Sequence, residues 1–130
     1  MLQGGAGKDT LSGGNGEDTL LGGNGKDDLK GGGKSDVLDG GGDNDTMNGG
    51  GDSDLFVFSD GDDEIKDFDA NDDDEKIDLS AVGSINGFSD LSNNHMSQVG
   101  NDVVIDDLGG NTLTLLGVDL ADLDKIDFVF

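Results

Sequence analysis

The chain has no cysteine, arginine, tyrosine or tryptophan, and no long apolar run. Without cysteine, neither disulfides nor thiolate metal sites can stabilise it. No stretch approaches a membrane span or a cleavable signal peptide, so membrane insertion is not expected and any export must be directed from elsewhere in the chain or its parent protein. Hydrophobic residues make up only 32% of 130. That bounds the chain to one ordinary domain or two small modules with a thin core. Lysine is equally scarce, seven residues against 30 Asp and Glu, for a formal net charge of −23. Nucleic acid and anionic membranes are therefore poor partners, and cations natural ones. Such a charge with few aromatics would ordinarily leave a chain disordered, because self-repulsion and chain entropy outweigh the apolar burial available.

What is present is a period. From Gly4 to Lys66 the sequence reads in nines: GGAGKDTLS, GGNGEDTLL, GGNGKDDLK, GGGKSDVLD, GGGDNDTMN, GGGDSDLFV and a degraded seventh copy, FSDGDDEIK. Position six is always aspartate: Asp9, Asp18, Asp27, Asp36, Asp45, Asp54 and Asp63. Position eight is always apolar: Leu11, Leu20, Leu29, Leu38, Met47, Phe56 and Ile65. Residue types locked to fixed phases mark a solenoid, which argues against permanent disorder. A fold conditional on cations reconciles the period with the charge. Met1-Leu2-Gln3 fills the last three positions of a preceding unit, so more protein is expected before Gly4.

Within a unit, the six glycine-rich residues read as a turn and positions seven to nine as a three-residue strand with its middle side chain inward. Stacked units would form parallel sheets at roughly 4.8 Å spacing. Two units per turn place odd units on one side and even units on the other, with the position-eight residues meeting in a thin core. Asp9, Asp27, Asp45 and Asp63 then line one edge, and Asp18, Asp36 and Asp54 the other. Calcium between successive loops could take a carboxylate from each and reach its preferred roughly 6 to 8 oxygens through backbone carbonyls; magnesium, which demands a tighter octahedron, fits worse. The carbonyl candidates are Gly4, Gly5, Gly7, Gly13, Asn15, Gly16, Gly22, Asn24, Gly25, Gly31, Gly33, Gly40, Gly42, Gly49 and Gly51. Pairing loops two units apart gives about four to five ions, with Asp63's site the least regular. Lys34, Asp43 and Asp52 replace the position-four glycine, where a left-handed backbone costs about 1 kcal/mol or more. The competing reading makes the aspartates Asx-turn formers in a soluble linker.

GGNGEDTLL and its neighbours resemble the nonapeptide repeats of RTX proteins, whose calcium role is a known property of that pattern. The resemblance covers Gly4 to Phe56 closely. It implies a right-handed parallel β-roll with calcium between its loops, in proteins exported by Gram-negative bacteria.

Beyond the repeat, Asp67 to Asp78 imitates an EF-hand loop at Asp67, Asp69 and Asn71. Position six would be Asp72 and position twelve Asp78, so the imitation fails and a solvated acidic loop is favoured over a further calcium site. Phe68, Ile77 and Leu79 suggest two short strands. A helical turn is expected around Ser89-Asp90-Leu91, and His95, the sole histidine, reads as a surface or loop residue rather than a catalytic one. Val103-Val104-Ile105 and Leu113, Leu115 spell a hairpin around Gly109-Gly110, with Met96 to Val99 as a third strand. A helical turn at Asp119 to Leu123 and a last strand, Phe128-Val129-Phe130, complete a β-rich cap over the roll's end. KIDLSAVG and GNTLTLLGVDLADL resemble the C-terminal caps of RTX proteins, among them secreted proteases, lipases and alginate epimerases, and Asp127-Phe128-Val129-Phe130 resembles their type I secretion signal.

The sequence therefore predicts an all-β chain: residues 1–66 a calcium-binding β-roll, 67–130 a C-terminal capping region. No nucleophile, phosphate loop or zinc constellation is assembled, so a non-catalytic fragment of a larger secreted, extracellular protein is expected. Its partners would be calcium, the N-terminal remainder of that protein and the type I secretion apparatus. Polysaccharide is an alternative partner, disfavoured by the lack of tyrosine and tryptophan for sugar stacking and by the scarcity of positive charge.

Overall fold

A computed structural model describes all 130 residues. Seven strands follow the repeat: β1 Leu2–Ala6, β2 Thr10–Asn15, β3 Thr19–Asn24, β4 Asp28–Gly33, β5 Val37–Gly42, β6 Thr46–Gly51 and β7 Leu55–Val57. Then come β8 Asp62–Ile65, β9 Lys76–Asp78, β10 Met96–Val99, β11 Asp102–Asp106, β12 Thr112–Leu115 and β13 Phe128–Val129. Odd and even units separate as expected. One sheet runs β1-β3-β5-β7-β9-β13 and the other β10-β11-β12-β8-β6-β4-β2. Leu2 pairs with Leu20 and Leu20 with Leu38, which makes one turn of the roll 18 residues.

The regular strands are six residues long, not three. Parallel pairing continues past the apolar residue through the leading glycines, with Gly5 opposite Gly23 and Gly14 opposite Gly32. Position two has a positive φ, 112° at Gly23, and a Cβ on Gly23 would lie 2.1 Å from the Gly5 carbonyl oxygen. Glycine there lets successive backbones approach closely enough to pair. The turn proper is thus only positions four to six.

Leu20, Leu29, Leu38, Met47, Phe56 and Ile65 are fully buried between the two sheets. The cap continues this core and extends both sheets: β12 adds to β8 in parallel, and β13 to β9. β10, β11 and β12 form the expected antiparallel meander. Short helical turns stand at Leu120–Asp122 and Lys125–Asp127.

Three details differ from expectation. Only one strand, β9, forms between Asp67 and Leu79; Phe68 is buried outside any strand, edge-on to Phe56. The helical turn starts at Phe88 and runs on as a π-helical turn, Leu91–His95. His95 is buried rather than superficial: its Nδ1 lies 2.6 Å from the Asp106 carbonyl oxygen and its Nε2 3.9 Å from Asp90. The carbonyl at the end of β11 gives the ring a partner, so the packed site costs little polar desolvation.

Candidate metal centre

Each position-six aspartate ends a loop just before the chain re-enters a strand. Its Oδ1 accepts the amide N–H of the aspartate one turn earlier: Asp9 to Asp27 and Asp18 to Asp36 at 2.7 Å, then Asp27 to Asp45, Asp36 to Asp54 and Asp45 to Asp63 at 2.8 Å. These bonds order the seven predicted aspartates into the two predicted rows. Asp27, Asp36, Asp45, Asp54 and Asp63 are buried, while Asp9 and Asp18 at the first turn are half-buried.

The second oxygen decides what the rows can do. Oδ2 of Asp9, Asp27, Asp36, Asp45 and Asp63 is buried with no hydrogen-bond donor. Leaving such an atom unsatisfied costs about 1–3 kcal/mol, and more when it carries charge. Those of Asp9, Asp27, Asp36 and Asp45 lie beside the leading glycine of their own unit. A Cβ on Gly22 would fall 2.6 Å from Asp27 Oδ2 and 2.4 Å from the Gly40 carbonyl oxygen, and one on Gly31 2.4 Å from Asp36 Oδ2 and 2.6 Å from the Gly49 carbonyl oxygen. Gly4 and Gly13 repeat the arrangement against Gly22 and Gly31. The leading glycine therefore lets its own unit's carboxylate and a carbonyl of the next turn approach its Cα closely.

The remaining predicted carbonyl donors lie in the turns and at the strand ends that flank them. Gly7, Gly16 and Gly25 make the turn with φ of 101°, 123° and 116°, and Lys34, Asp43 and Asp52 hold the same left-handed region at 82°, 72° and 65°. The Asn24, Gly33 and Gly42 carbonyls accept the Gly7, Gly16 and Gly25 amides, which leaves each one lone pair. Gly5 pairs within its strand; Asn15 and Gly51 end theirs. No three acidic side chains converge on one point. An ion here must take most of its ligands from backbone oxygens, and the oxygen-only donor set suits a hard cation such as calcium.

Electrostatics point the same way. Asp45 is pushed up to about 6 by burial, reinforced by Asp27, Asp43 and Asp39. Asp54 is likewise raised to about 6 by burial and the charges of Asp36, Asp67 and Asp52. Asp63 rises to about 7 through burial and its neighbours Asp45, Asp62 and Asp39. Ion-free, Asp45, Asp54 and Asp63 favour protons; a cation relieves the same stress.

Sequence reasoning missed the acidic groups at the base of the second row. Asp67 is not free in solvent: its Oδ1 and Oδ2 accept the Gly49 and Gly50 amides at 2.9 and 2.8 Å. Glu75 is buried, and burial with the nearby charges of Asp54, Asp67 and Asp72 raises it to about 8. The available signal was Glu75-Lys76-Ile77-Asp78, which copies the acid, outward, apolar, outward order of positions six to nine after an insertion.

Comparison with known proteins agrees with this geometry. Residues 1–29 and 21–56 match the RTX calcium-binding nonapeptide repeat (four copies). No curated protein sequence matches the chain. Among solved structures, the extracellular lipase LipA from Serratia marcescens superposes with a TM-score of 0.74 at 23% identity, over 98% of this chain and 20% of the lipase. The AlgE6R3 subunit of the Azotobacter vinelandii mannuronan C5-epimerase superposes with a TM-score of 0.72 at 29% identity, over 98% of this chain and 80% of that one. The chain thus spans a fifth of the lipase, and at that identity the likeness is one of fold. Repeats and fold together make residues 1–56 RTX calcium-binding repeats, wound into the β-roll of RTX proteins.

Proposed function

We propose that the chain is a non-catalytic calcium-binding module that folds on calcium outside the cell and supports the type I secretion and folding of a larger protein. The observation that carries this reading is the double row of aspartates, of which five are buried and hold an amide one turn away with one oxygen, while five of the seven bury the other oxygen without a donor. Asp9 with Asp27, Asp27 with Asp45, Asp45 with Asp63, Asp18 with Asp36, and Asp36 with Asp54 would hold the ions, together with the loop carbonyls. Bound calcium supplies the positive charge that such carboxylates otherwise lack. The leading glycines let carboxylate and carbonyl approach closely, and the amide bonds hold five of the carboxylates in place.

Ions that bind only the folded chain stabilise it by RT ln(1 + [L]/Kd), about 1.4 kcal/mol per site at ten times Kd. Several such sites together match the stability of a whole domain. With scarce calcium inside a cell the roll stays extended and threadable. At about millimolar calcium, the affinity range of extracellular modules, it folds. Residues 1–66 are the calcium-responsive part in this reading, and 67–130 the cap. The extracellular nature and greater length of the lipase neighbour support a larger secreted parent, whose N-terminal remainder and secretion apparatus are the proposed partners. Far-UV circular dichroism with chelator and then calcium tests the switch: the β signal of the roll should appear only with calcium, and a fully folded spectrum in excess chelator would sink it.

A second reading, polysaccharide binding, is favoured by the likeness to a subunit of a mannuronan C5-epimerase. Calcium-dependent, saturable binding of mannuronan at micromolar concentration would raise it above a mere likeness of fold.

A further inference from the structure

We propose that Asn86–Gly87 is a spontaneous modification site, at which the asparagine deamidates in the folded chain and loosens the helical turn that follows it in the cap. The site lies outside the roll and is independent of the calcium reading above.

Four asparagines precede glycine: Asn15, Asn24, Asn48 and Asn86. A glycine has no side chain to shield its amide nitrogen, which can then attack the side-chain amide of the asparagine before it. The fold separates the four. The Gly16 and Gly25 amides donate to the Gly33 and Gly42 carbonyls at 3.0 Å, and the Gly49 amide donates to Asp67 Oδ1 at 2.9 Å. A peptide plane held in this way cannot turn its nitrogen toward the asparagine Cγ without breaking that bond. Gly87 lies outside every strand, and its N–H donates to no protein acceptor. Open space surrounds it: a Cβ at Gly87 would meet nothing within 4 Å, whereas at Gly25 and Gly49 one would fall 2.6 Å from the Gly7 carbonyl oxygen and 2.1 Å from Asp54 Oδ2. Asn86 is exposed, and its Nδ2 is held by a single long contact of 3.4 Å with the Ser84 carbonyl.

The reaction needs no partner but water. The Gly87 nitrogen, having lost its proton to solvent, attacks Asn86 Cγ; the new N–C bond forms, the Cγ–Nδ2 bond breaks, and ammonia leaves with a proton taken from solvent. The cyclic imide adds one water at either carbonyl and opens to aspartate or isoaspartate. Both products disturb the same contacts. The Asn86 N–H donates to Asp90 Oδ2 at 2.9 Å, and the Gly87 carbonyl accepts the Asp90 and Leu91 amides at 3.1 and 3.0 Å. A carboxylate at 86 sets a negative charge beside Asp90, and isoaspartate adds a methylene to the main chain where the turn begins. That turn carries Leu91 and His95 into the interior.

Incubation of the full chain in saturating calcium at mildly alkaline pH, with peptide mapping by mass spectrometry over time, tests the assignment. Asn86 should convert first, with Asn15, Asn24 and Asn48 at least about tenfold slower, because reaction there waits on local opening of the roll. Equal rates at all four, or a roll asparagine converting ahead of Asn86, would overturn it. Asn86→Asp supplies one product directly: hydrogen-exchange protection of the Leu91 to His95 amides should fall at least about threefold, and unchanged protection would overturn the loosening. Excess chelator distinguishes the two readings. If the roll unfolds without calcium, its three asparagines catch up with Asn86; if they stay protected in chelator, calcium-dependent folding fails while the Asn86 assignment stands.

Discussion

Residues 1–66 contribute seven of the nineteen core side chains and five buried carboxylates; residues 67–130 contribute twelve core side chains and two buried acids, Glu75 and Asp127. The two halves have nearly equal length and opposite solutions to stability. In the roll, most nine-residue units bury a single apolar side chain, and the remaining positions are committed to turns and to carboxylates that take an amide of the adjacent turn. In the cap, alternating Val103, Ile105, Leu113 and Leu115 bury a full strand face, and its acids are mostly spent on local bonds such as the Asp124–Asp127 capping box. The difference teaches that a chain can replace hydrophobic burial by ion binding, provided the ion arrives.

The largest consequence concerns chelation. Hydrogen exchange in excess chelator should leave amides of β2 to β6 nearly unprotected while those of β11 and β12 retain protection; equal loss in both halves would break the comparison. pH should act next most strongly. Asp45, Asp54 and Asp63 rise from 3.8 to about 6, 6 and 7 in the ion-free fold. That fold therefore holds more protons than the unfolded chain across this window, and its stability must fall as pH rises through it. With calcium in excess the dependence should reverse, because the ion binds the ionised carboxylates. Thermal melts at about pH 5 and pH 8, with calcium and with chelator, should show opposite orders of melting midpoint; the same order in both would refute the linkage.

Smaller effects separate the halves residue by residue. Gly22→Ala puts a methyl within 2.4 Å of the Gly40 carbonyl oxygen, whereas Gly83→Ala in the cap meets nothing within 4 Å. The first should lose about 1–3 kcal/mol in calcium and weaken calcium binding, and the second should change stability by no more than about 0.5 kcal/mol. Denaturant melts of both variants measure the contrast. Smallest is Lys34→Gly: it relieves a φ of 82° and removes an exposed 3.8 Å pair with Asp52. A gain of up to about 1 kcal/mol is expected, and a loss would mean that Lys34 supports the loop.

Much of the roll was legible because every turn meets the same environment. The phase of Asp27 and Leu29 told which side chain faces the loop and which the core, and pairing at 18 residues followed. The six-residue strands were not legible, since whether Gly13-Gly14 pairs depends on how closely the next backbone approaches. Nor was Glu75: three inserted residues break the phase, and only the Lys76 to Asp54 hydrogen bond restores it. His95 was misread because its partner, the Asp106 carbonyl, is a main-chain group that no residue type announces.

The sequence by itself determined the period and the chemistry of each position, because in a repeat the neighbour in space is the same residue two units away. Only the tertiary structure decided which carboxylate oxygens lack a donor, that Glu75 continues a row, and that β12 pairs with β8 across 50 residues, Thr112 bonding Asp62. Those outcomes depend on the packing of unrepeated side chains, which no local pattern encodes.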